Sequence, residues 1–465
     1  MNEKSYAYLL TGGSGHELLM TDGYKFAMAQ AGFPLREETF YLSCRKGGPF
    51  YMPFDFGEVV QALAAPPPSR DWRWLDRYEY GLTQAMLSAT NQPVHTWAAP
   101  KGSWVGNGEP IVTVTGPSFK VSCLEPLVIM FRFAIQVATA AVRDNVTNFR
   151  ASCESEAAII EMVLAAVGET GSILMDSKKY IEAVRRNVEA IKTSLDGDLS
   201  RAFEVGMRAA SCLDQHRIAL AICQQAGLSK TSNVFLALEF NMTPVGTTGH
   251  EHQQRWMNDR DAFRAMRDMR VSPPSYLFDT YDVRRGQEHA IATMLEDPDK
   301  KCSVRFDSGD QDQQLRYFLD AEKYQGVRPT YIFEDSYSAE KTARNERLCD
   351  ILGLEKSRRF YGYGGFIVSP ESGAQFCRDD VSAVYKLSQT GITPVMKSCG
   401  EKSSIPGRPV IRVSDHTGGH VIAQMSEFLP GYHDLNENDS RSNLRIYNST
   451  DTISAINSCN YRNSK

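Results

Sequence analysis

The sequence predicts an α/β protein whose second half is built from repeated βα units, and two observations support this fold class. Short strand-like runs that end in polar residues recur along this half, and the last four of them end about 28 residues apart. The gaps between the runs carry helical patterns, such as that of residues 339–352. This rhythm is typical of a parallel sheet that can close into a barrel. The five runs are 244–250, 276–282, 302–310, 330–336 and 359–365.

The first half and the tail of the chain follow other patterns. Strand-like pieces rich in aromatic residues, such as 39–43 and 110–114, characterise the first part of the chain. The run AAPPPS at 64–69 predicts a loop, because consecutive prolines cannot continue a helix or an inner strand. Apolar residues at three- and four-residue spacing predict helices over 151–209. Beyond residue 414 the chain is rich in Asn and Ser, and we expect this tail to pack poorly.

The composition argues against several classes of protein. At 465 residues, with 42% hydrophobic and 23% charged residues, the chain can bury a large core in two or three domains. A net charge of −5, with scattered Lys and Arg, argues against a nucleic-acid-binding surface. The sequence contains no run of about 18 uncharged apolar residues, so it predicts no membrane span. Ten separate cysteines, without a Cys-x-x-Cys motif, predict reduced thiols in a cytoplasmic protein.

The stretch 241–256, NMTPVGTTGHEHQQRW, holds the strongest candidate for a reactive side chain. His250 follows a glycine at the end of an extended run, and Glu251 comes directly after it. A neutral imidazole offers one nitrogen as a nucleophile or base while a partner orients the other. On this segment alone, a surface histidine at the start of a helix is an equal alternative. The zinc motif HExxH is not formed, because Gln254 occupies the position of its second histidine.

The ends of the predicted strands add further polar groups to the same region. Because the carboxyl ends of the strands in a βα barrel face the active site, acids on several successive strands indicate an enzyme. Arg305 and Asp307 combine a fixed cation with a carboxylate, which suits a substrate with phosphates and hydroxyls, although a buried ion pair is the alternative. Glycines in 361–366 let backbone N–H groups approach a phosphate, although a tight turn is again the alternative.

A set of short motifs, taken together and in order, resembles the nicotinate phosphoribosyltransferases. The resemblance runs from about residue 20 to residue 412, and the shared order and spacing carry it rather than any single motif. The motifs are TDGYK at 21–25, RK at 45–46, EVGMR at 204–208, TSN at 231–233, GTTGHE at 246–251, DTYD at 279–282, RFDSG at 305–309, YKL at 385–387 and PG at 406–407.

The resemblance implies a fold and an activity. Members of this family are type II phosphoribosyltransferases, which combine an incomplete TIM-like βα barrel with an additional α/β domain built from N- and C-terminal portions. We therefore expect boundaries at 1–150, 151–380 and 381–465. The implied reaction joins nicotinate to 5-phosphoribosyl 1-pyrophosphate, giving nicotinate mononucleotide and pyrophosphate in NAD salvage. It uses ATP as a co-substrate through a phosphohistidine at His250, and Mg2+ that arrives with the substrate phosphates rather than on identified protein ligands.

The resemblance also implies roles for individual residues. Catalytic roles fall on His250, Glu251, Arg305 and Asp307. Substrate-binding roles fall on Tyr24, Arg45, Arg208, Thr231, Ser232, Asp279, Asp335, Gly364, Gly365 and Lys386. Among these, Arg208 and Arg305 would hold phosphates, Gly364 and Gly365 would cradle the 5′-phosphate, and the acids would contact ribose or magnesium. Tyr24 would stack on the pyridine ring of the neighbouring subunit's site, which implies a homodimer. A serine at Ser232 can donate to a carboxylate, and it therefore favours nicotinate over nicotinamide.

Three departures from the family pattern keep other functions open. Val205 replaces a phenylalanine that stacks on the pyridine ring, Ala209 removes the second of two paired arginines, and Glu334 and Phe366 stand where glycines are expected. The alternatives are transfer to nicotinamide or quinolinate, a non-catalytic binding module on the same fold, and a metal-dependent barrel hydrolase. Retention of the histidine, the arginine and the acids together argues against the binding module.

Overall fold

The computed structural model describes residues 2–64, 72–78, 80–269, 273–399, 404–413 and 420–424. The β-strands are β1 (Glu37–Cys44), β2 (Phe50–Tyr51), β3 (His95–Ala98), β4 (Trp104–Val105), β5 (Val112–Pro117), β6 (Asn148–Ala151), β7 (Ser172–Met175), β8 (Ala202–Glu204), β9 (Lys230–Thr231), β10 (Thr243–Pro244), β11 (Ser275–Leu277), β12 (Ser303–Phe306), β13 (Thr330–Phe333), β14 (Arg359–Tyr363), β15 (Ala383–Thr390), β16 (Thr393–Pro394), β17 (Pro409–Val413) and β18 (His420–Gln424).

The α-helices are α1 (Glu3–Leu10), α2 (Tyr24–Gln30), α3 (Phe56–Leu63), α4 (Gln84–Thr90), α5 (Ser118–Cys123), α6 (Glu125–Val142), α7 (Glu154–Val167), α8 (Ser177–Ser194), α9 (Leu213–Ala226), α10 (Val234–Phe240), α11 (His250–Trp256), α12 (Asp259–Asp268), α13 (Val283–Glu296), α14 (Gln311–Gln325), α15 (Ala339–Ile351), α16 (Gly365–Val368) and α17 (Arg378–Val381). The predicted loop at 64–69 lies, except for Ala64, outside the described residues.

The strands β8 to β14 form one parallel sheet of seven strands. Their order in the sheet is β10-β9-β8-β14-β13-β12-β11. Helices α13, α14 and α15 follow β11, β12 and β13, so these segments are the expected βα units. The strand order has β10 and β11 at its two edges, and no pairing between them closes the barrel among the described residues. The predicted α/β fold with an incomplete barrel is therefore confirmed.

The second sheet is antiparallel and joins the two ends of the chain. Its order is β16-β15-β1-β5-β3, and β1 pairs with β15 on one side and with β5 on the other. Phe40 of β1 lies opposite Leu387 of β15, so residues about 350 apart share one core. This sheet agrees with the expectation of an additional α/β domain built from N- and C-terminal portions. The three domain boundaries remain predictions.

Several elements differ in extent from the sequence-based expectations. Of the run 244–250, only Pro244 lies in a strand, at the end of β10, and His250 already begins helix α11. The segment 151–209 contains β7 and β8 as well as helices, since short apolar runs do not distinguish a buried strand from a helix. Strand β18 lies within the tail that was expected to pack poorly, and it pairs with β17.

Helix α6 is the central core element of the first half. It is apolar on nearly all sides and contacts α7, β2 and β15. Its length and composition would suffice for a membrane crossing, but 94% of the helix is buried inside the protein. That burial is the pattern of a core helix, and α6 carries two ionisable side chains into the interior, Glu125 and Arg132.

Two acids at the strand ends stabilise helices. Asp282 caps α13 and accepts from the backbone N–H of Arg285 at 2.7 Å, and Asp310 caps α14 in the same way. Helix α13 also packs directly on the end of β11, since a Cβ placed on Gly286 would lie 2.0 Å from the carbonyl oxygen of Phe278. The turn between β11 and α13 is therefore closely packed, next to the polar residues that follow β11.

We expect Gly286→Ala to lower the free energy of unfolding by about 1–3 kcal/mol, because the added methyl group meets a backbone carbonyl that cannot rotate away. Chemical denaturation measures this change. The control Glu288→Ala removes an exposed side chain of the same helix and should stay within about 0.5 kcal/mol of wild type. Equal unfolding midpoints for Gly286→Ala and wild type would show that the close packing is absent.

Candidate active site

His250 is the first residue of α11, and its ring is held from both sides. Its Nδ1 lies 3.0 Å from the hydroxyl of Thr280, just after β11. Its Nε2 lies 3.2 Å from Oδ2 of Asp307, after β12, and 3.1 Å from Nζ of Lys397. Burial lowers the pKa of His250 below its ordinary value of 6.5, against the opposing charges of the nearby acids. A neutral ring therefore persists to lower pH than in an exposed histidine.

Arg305 links the histidine region to two further strand ends. Its Nη1 donates to the hydroxyl of Thr247 at 2.9 Å and to the carbonyl of Thr248 at 2.5 Å, in the turn before α11. Its Nη2 donates to Asp307 at 2.5 Å and lies 3.1 Å from Glu334, which follows β13. One buried guanidinium thus fixes the turn before His250 relative to the ends of β12 and β13.

The two acids beside His250 each have a cationic partner. Asp279 accepts from Lys397 at 2.8 Å and also from the hydroxyl of Ser308, while Asp307 accepts from Arg305. Burial alone would raise the pKa of Asp307, but Arg305 and His250 hold it well below its usual range. The pKa of Asp279 is also lowered, since His250 and Lys397 outweigh its burial. Both acids are therefore anionic at neutral pH.

His250, Asp279 and Asp307 also have the spacing of a metal site, with one ligand atom from each lying within 4.8 Å of the others. The ammonium of Lys397, however, is in hydrogen-bond contact with two of the three groups. A positively charged side chain therefore occupies the position next to these ligands where a divalent cation would bind. The geometry fits a cluster neutralised by lysine better than a dedicated metal site.

Glu251 points away from His250 and into the core. It accepts from Nζ of Lys25 at 2.9 Å and from the hydroxyl of Ser122 at 2.7 Å. The same ammonium also contacts Glu125, at the start of α6. Burial opposes ionisation of Glu125, but Lys25 and Arg208 lower its pKa to about 2. The structure therefore does not bring the Glu251 carboxylate to the imidazole beside it in sequence.

Tyr24 lies against residues of its own chain. Its hydroxyl donates to Glu125 at 3.0 Å, and the guanidinium carbon of Arg208 lies 5.9 Å from the centre of its ring. A Cβ on Gly249 would lie 3.3 Å from the same ring, and one on Gly246 would lie 2.2 Å from the backbone nitrogen of Tyr24. The aromatic ring is thus packed beside the turn that leads into His250.

Ser232 is buried, and its hydroxyl donates to Oδ1 of Asp22 at 2.6 Å. Arg208 approaches the other oxygen of Asp22, with 3.6 Å between the charged atoms. Burial raises the pKa of Asp22, whereas Arg208 and Ser232 oppose that shift. Thr231, the residue before Ser232, donates to Glu204 at 2.6 Å and is completely buried. Thr231 therefore belongs to the packing beneath the site.

Basic side chains gather on the side of Arg208. Lys386 of β15 lies close enough to Arg45 and Arg208 for their charges to affect its pKa, which burial and these arginines lower to about 8. Arg378, in α17, is a further member, since burial and the charges of Arg208 and Arg45 lower its pKa as well. The single arginine of the EVGMR motif is therefore accompanied by a second one from a distant segment.

The remaining predicted residues lie at neighbouring strand ends. Asp335 follows β13 with φ of +78°, and its carbonyl accepts from Lys341 at 2.7 Å. Gly364 and Gly365 follow β14, where Gly364 lies against the backbone of Val205 and Gly365 lies near Ser369 and Asp379. Val205 itself is half-buried after β8. The two glycines and Arg208 therefore follow the carboxyl ends of two neighbouring parallel strands, β14 and β8.

Sequence reasoning missed several groups that the structure brings to the site, namely Asp22, Lys25, Glu125, Thr280, Arg378 and Lys397. Two signals were present. Glu125 is an acid at the start of an almost wholly apolar helix, which requires a buried cation as partner. Lys397 is a lone lysine at the end of the short apolar run Pro394-Val-Met, which is typical of a lysine with a buried stem.

Comparison with known proteins gives a consistent result. No protein-family model matches the chain. A nicotinate phosphoribosyltransferase of Mycobacterium tuberculosis is 24% identical over 434 residues, covering 89% of this chain and 80% of its own length. One of Bos taurus is 25% identical over 426 residues, covering 84% and 75%. A solved nicotinate phosphoribosyltransferase of Vibrio cholerae, 18% identical, superposes with a TM-score of 0.60 over 86% of this chain and 92% of its own. The resemblance in sequence is confirmed, and the solved structure confirms the fold.

We expect Lys25→Met to lower the free energy of unfolding by about 3–5 kcal/mol, because Glu125 and Glu251 then remain buried without their shared cation. Thermal or chemical denaturation measures the loss. The matched control is Lys4→Met, at an exposed lysine of α1, which should change the same quantity by less than about 0.5 kcal/mol. Similar small effects of both substitutions would contradict the ion network.

Proposed function

We propose that this chain, which resembles the nicotinate phosphoribosyltransferases over most of its length, joins nicotinate to 5-phosphoribosyl 1-pyrophosphate and releases nicotinate mononucleotide and pyrophosphate. One observation carries the proposal beyond the resemblance. Arg305 contacts Asp307, and Asp307 contacts His250, while Arg208, Lys386 and the ring of Tyr24 lie at the adjoining end of the same region. The proposed product would feed NAD synthesis in the cytoplasm.

The proposed transfer depends on positioning and on charge. Arg208, Arg305, Lys386 and Arg45 supply cations for the phosphate and pyrophosphate groups, and Gly364 and Gly365 leave backbone room for the 5′-phosphate. Asp307, with Asp279 and Asp335, offers acceptors for ribose hydroxyls. The pyridine nitrogen attacks C1′, and the C1′–O bond to pyrophosphate breaks. No acid or base is needed at the ring nitrogen, so orientation and neutralisation of the leaving group govern the rate.

ATP coupling through His250 is part of the same proposal. The contact of Nδ1 with Thr280 orients the ring, so that Nε2 faces Asp307 and Lys397. Transfer of the terminal phosphoryl group of ATP to the imidazole forms an N–P bond and releases ADP. The added negative charge lies close to Arg305, and this would tighten the site around the sugar donor until water removes the phosphoryl group.

We propose that Mg2+ arrives with ATP and with the pyrophosphate group. The described acids beside His250 are already paired with Arg305 and Lys397, which leaves little room for an ion held by the protein alone. When bound, Mg2+ would neutralise the leaving pyrophosphate. The protein's contribution is to hold the cationic and carboxylate side chains that surround that group in fixed positions.

The choice of nicotinate over nicotinamide would depend on Asp22 as well as on Ser232. The Ser232 hydroxyl is already directed at Asp22, so it is not a simple donor to a substrate carboxylate. Burial raises the pKa of Asp22, while Arg208 and Ser232 oppose that shift. We propose that the carboxylate of nicotinate binds beside Arg208, where Asp22 and Ser232 line the site. The predicted homodimer stays a prediction, since Tyr24 packs within its own chain.

The first test is product formation from phosphoribosyl pyrophosphate and Mg2+ with nicotinate or nicotinamide, each with and without ATP. We expect nicotinate mononucleotide, formed at least about tenfold faster with ATP, and we expect His250→Ala to lose this ATP response because it lacks the phosphoryl acceptor. Chromatography of the nucleotides measures both results.

The control for this test is His95→Ala, at an exposed histidine of β3, which should retain the ATP response. Product from nicotinamide alone would move the assignment to a nicotinamide-using enzyme. If neither base gives a nucleotide, the result favours a non-catalytic binding module on this fold. If His250→Ala keeps the ATP response, the phosphohistidine role of His250 is contradicted.

The lowered pKa of Lys386 gives a pH test of the phosphate site. Because the pKa lies at about 8, the ammonium is present at pH 7 and is lost as the pH rises through 8 to 9. We expect the KM for phosphoribosyl pyrophosphate to rise about tenfold over this interval, as one charge-assisted contact is lost. In Lys386→Arg the guanidinium stays charged, so the rise should disappear. A wild-type KM that is flat between pH 7 and 9 would exclude Lys386 from the site.

A further inference from the structure

We propose that Lys397 is a positioning residue for the phosphorylation of His250, and this inference rests on the proposed function. Its ammonium lies 3.1 Å from Nε2 of His250 and 2.8 Å from Oδ2 of Asp279. Only 9% of its side chain is exposed. No motif of the sequence identified this lysine, and it reaches the histidine from the loop after β16, outside the parallel sheet whose strand ends carry the other groups.

The backbone around Lys397 is anchored to the strand end that it serves. The backbone N–H groups of Ser398 and Cys399 each donate to the carbonyl of Thr280 at 3.2 Å, and Val395 donates to Ser388 of β15 at 2.8 Å. The residues on both sides of Lys397 are therefore fixed, one side to the antiparallel sheet and the other to the end of β11. The ammonium is held in place by this bridge between the two sheets rather than by a mobile surface loop.

A lysine at this position determines which form of the imidazole is present. An ammonium can only donate, so a Nε2 atom that accepts from Lys397 must carry its lone pair, and the proton then resides on Nδ1 beside Thr280. Asp307 lies 3.2 Å from Nε2 and would favour the opposite tautomer, but Arg305 donates to its other oxygen and weakens that preference. Lys397 therefore favours the tautomer in which Nε2 is unprotonated and can act as the nucleophile.

Lys397 also completes the charge balance that an incoming phosphate requires. Asp279 and Asp307 lie 3.7 Å and 3.2 Å from Nε2, and both would repel the terminal phosphate of ATP. Arg305 neutralises Asp307, and Lys397 neutralises Asp279. As Nε2 bonds to the γ-phosphorus, the P–O bond to ADP breaks, the Nδ1 proton stays in place, and the ammonium turns from Nε2 to a phosphoryl oxygen.

The test compares wild type with Lys397→Met and Lys397→Arg after incubation with Mg2+ and ATP labelled at the γ-phosphate. The readout is acid-labile phosphate on the protein. We expect Lys397→Met to label at least about 100-fold more slowly, because it loses the donor and the charge at the reacting atom. Lys397→Arg keeps the charge and should recover part of the rate. The matched control is Lys301→Met, at an exposed lysine before β12, which should label as wild type does.

The outcomes separate this inference from the proposed function. Wild type that neither labels nor forms nicotinate mononucleotide would contradict the proposed function itself. If wild type labels and Lys397→Met labels equally fast, the role of Lys397 is overturned. The same holds if the Met and Arg variants lose labelling equally together with binding of phosphoribosyl pyrophosphate, because that pattern indicates a general structural role.

Discussion

The buried ammonium of Lys25 joins the three segments from which the site is assembled. It lies between Glu125, at the start of the core helix α6, and Glu251, in the helix that His250 begins, while Lys25 itself follows Tyr24. Two carboxylates inside a protein are costly without a cation between them. This network therefore fixes the ring of Tyr24 and the helix that begins with His250 relative to each other. It also explains why Glu251, although adjacent to His250 in sequence, serves the packing beneath the site.

Above this network, the polar strand ends follow one arrangement, in which each carboxylate near His250 is paired with a cationic side chain. Arg305 serves Asp307 and Glu334, and Lys397 serves Asp279. The site can therefore hold several acids without a large net negative charge, which is a requirement for any protein that binds polyphosphates. Glu334 departs from the family pattern, yet it supplies a second carboxylate for Arg305 and so helps to orient the guanidinium.

The sequence predicted the groups that repeat with the strands and missed those that come from elsewhere. The βα rhythm placed Asp279, Arg305 and Asp307 at strand ends, where the structure brings them together with His250. It did not place Lys397 at the site, because that residue reaches His250 from a loop beyond the antiparallel sheet. A lysine after a short apolar run indicates a buried stem but does not show which distant segment it contacts. It also misread the direction of Glu251, since neighbours on a helix point to different faces. Asp282 and Asp310, the last residues of two predicted strand runs, are also acids at strand ends, but their carboxylates cap helices.

The central claim is that these strand ends form a binding site for a phosphoribosyl donor, and calorimetric titration of phosphoribosyl pyrophosphate with Mg2+ tests it most directly. The proposed function requires saturable binding to wild type, with one donor per site. It also requires a loss of affinity of about 10-fold or more in Arg305→Met, since a buried guanidinium that holds phosphate is removed. Absence of binding to the folded wild-type protein, or equal affinity in a folded Arg305→Met variant, would contradict the account.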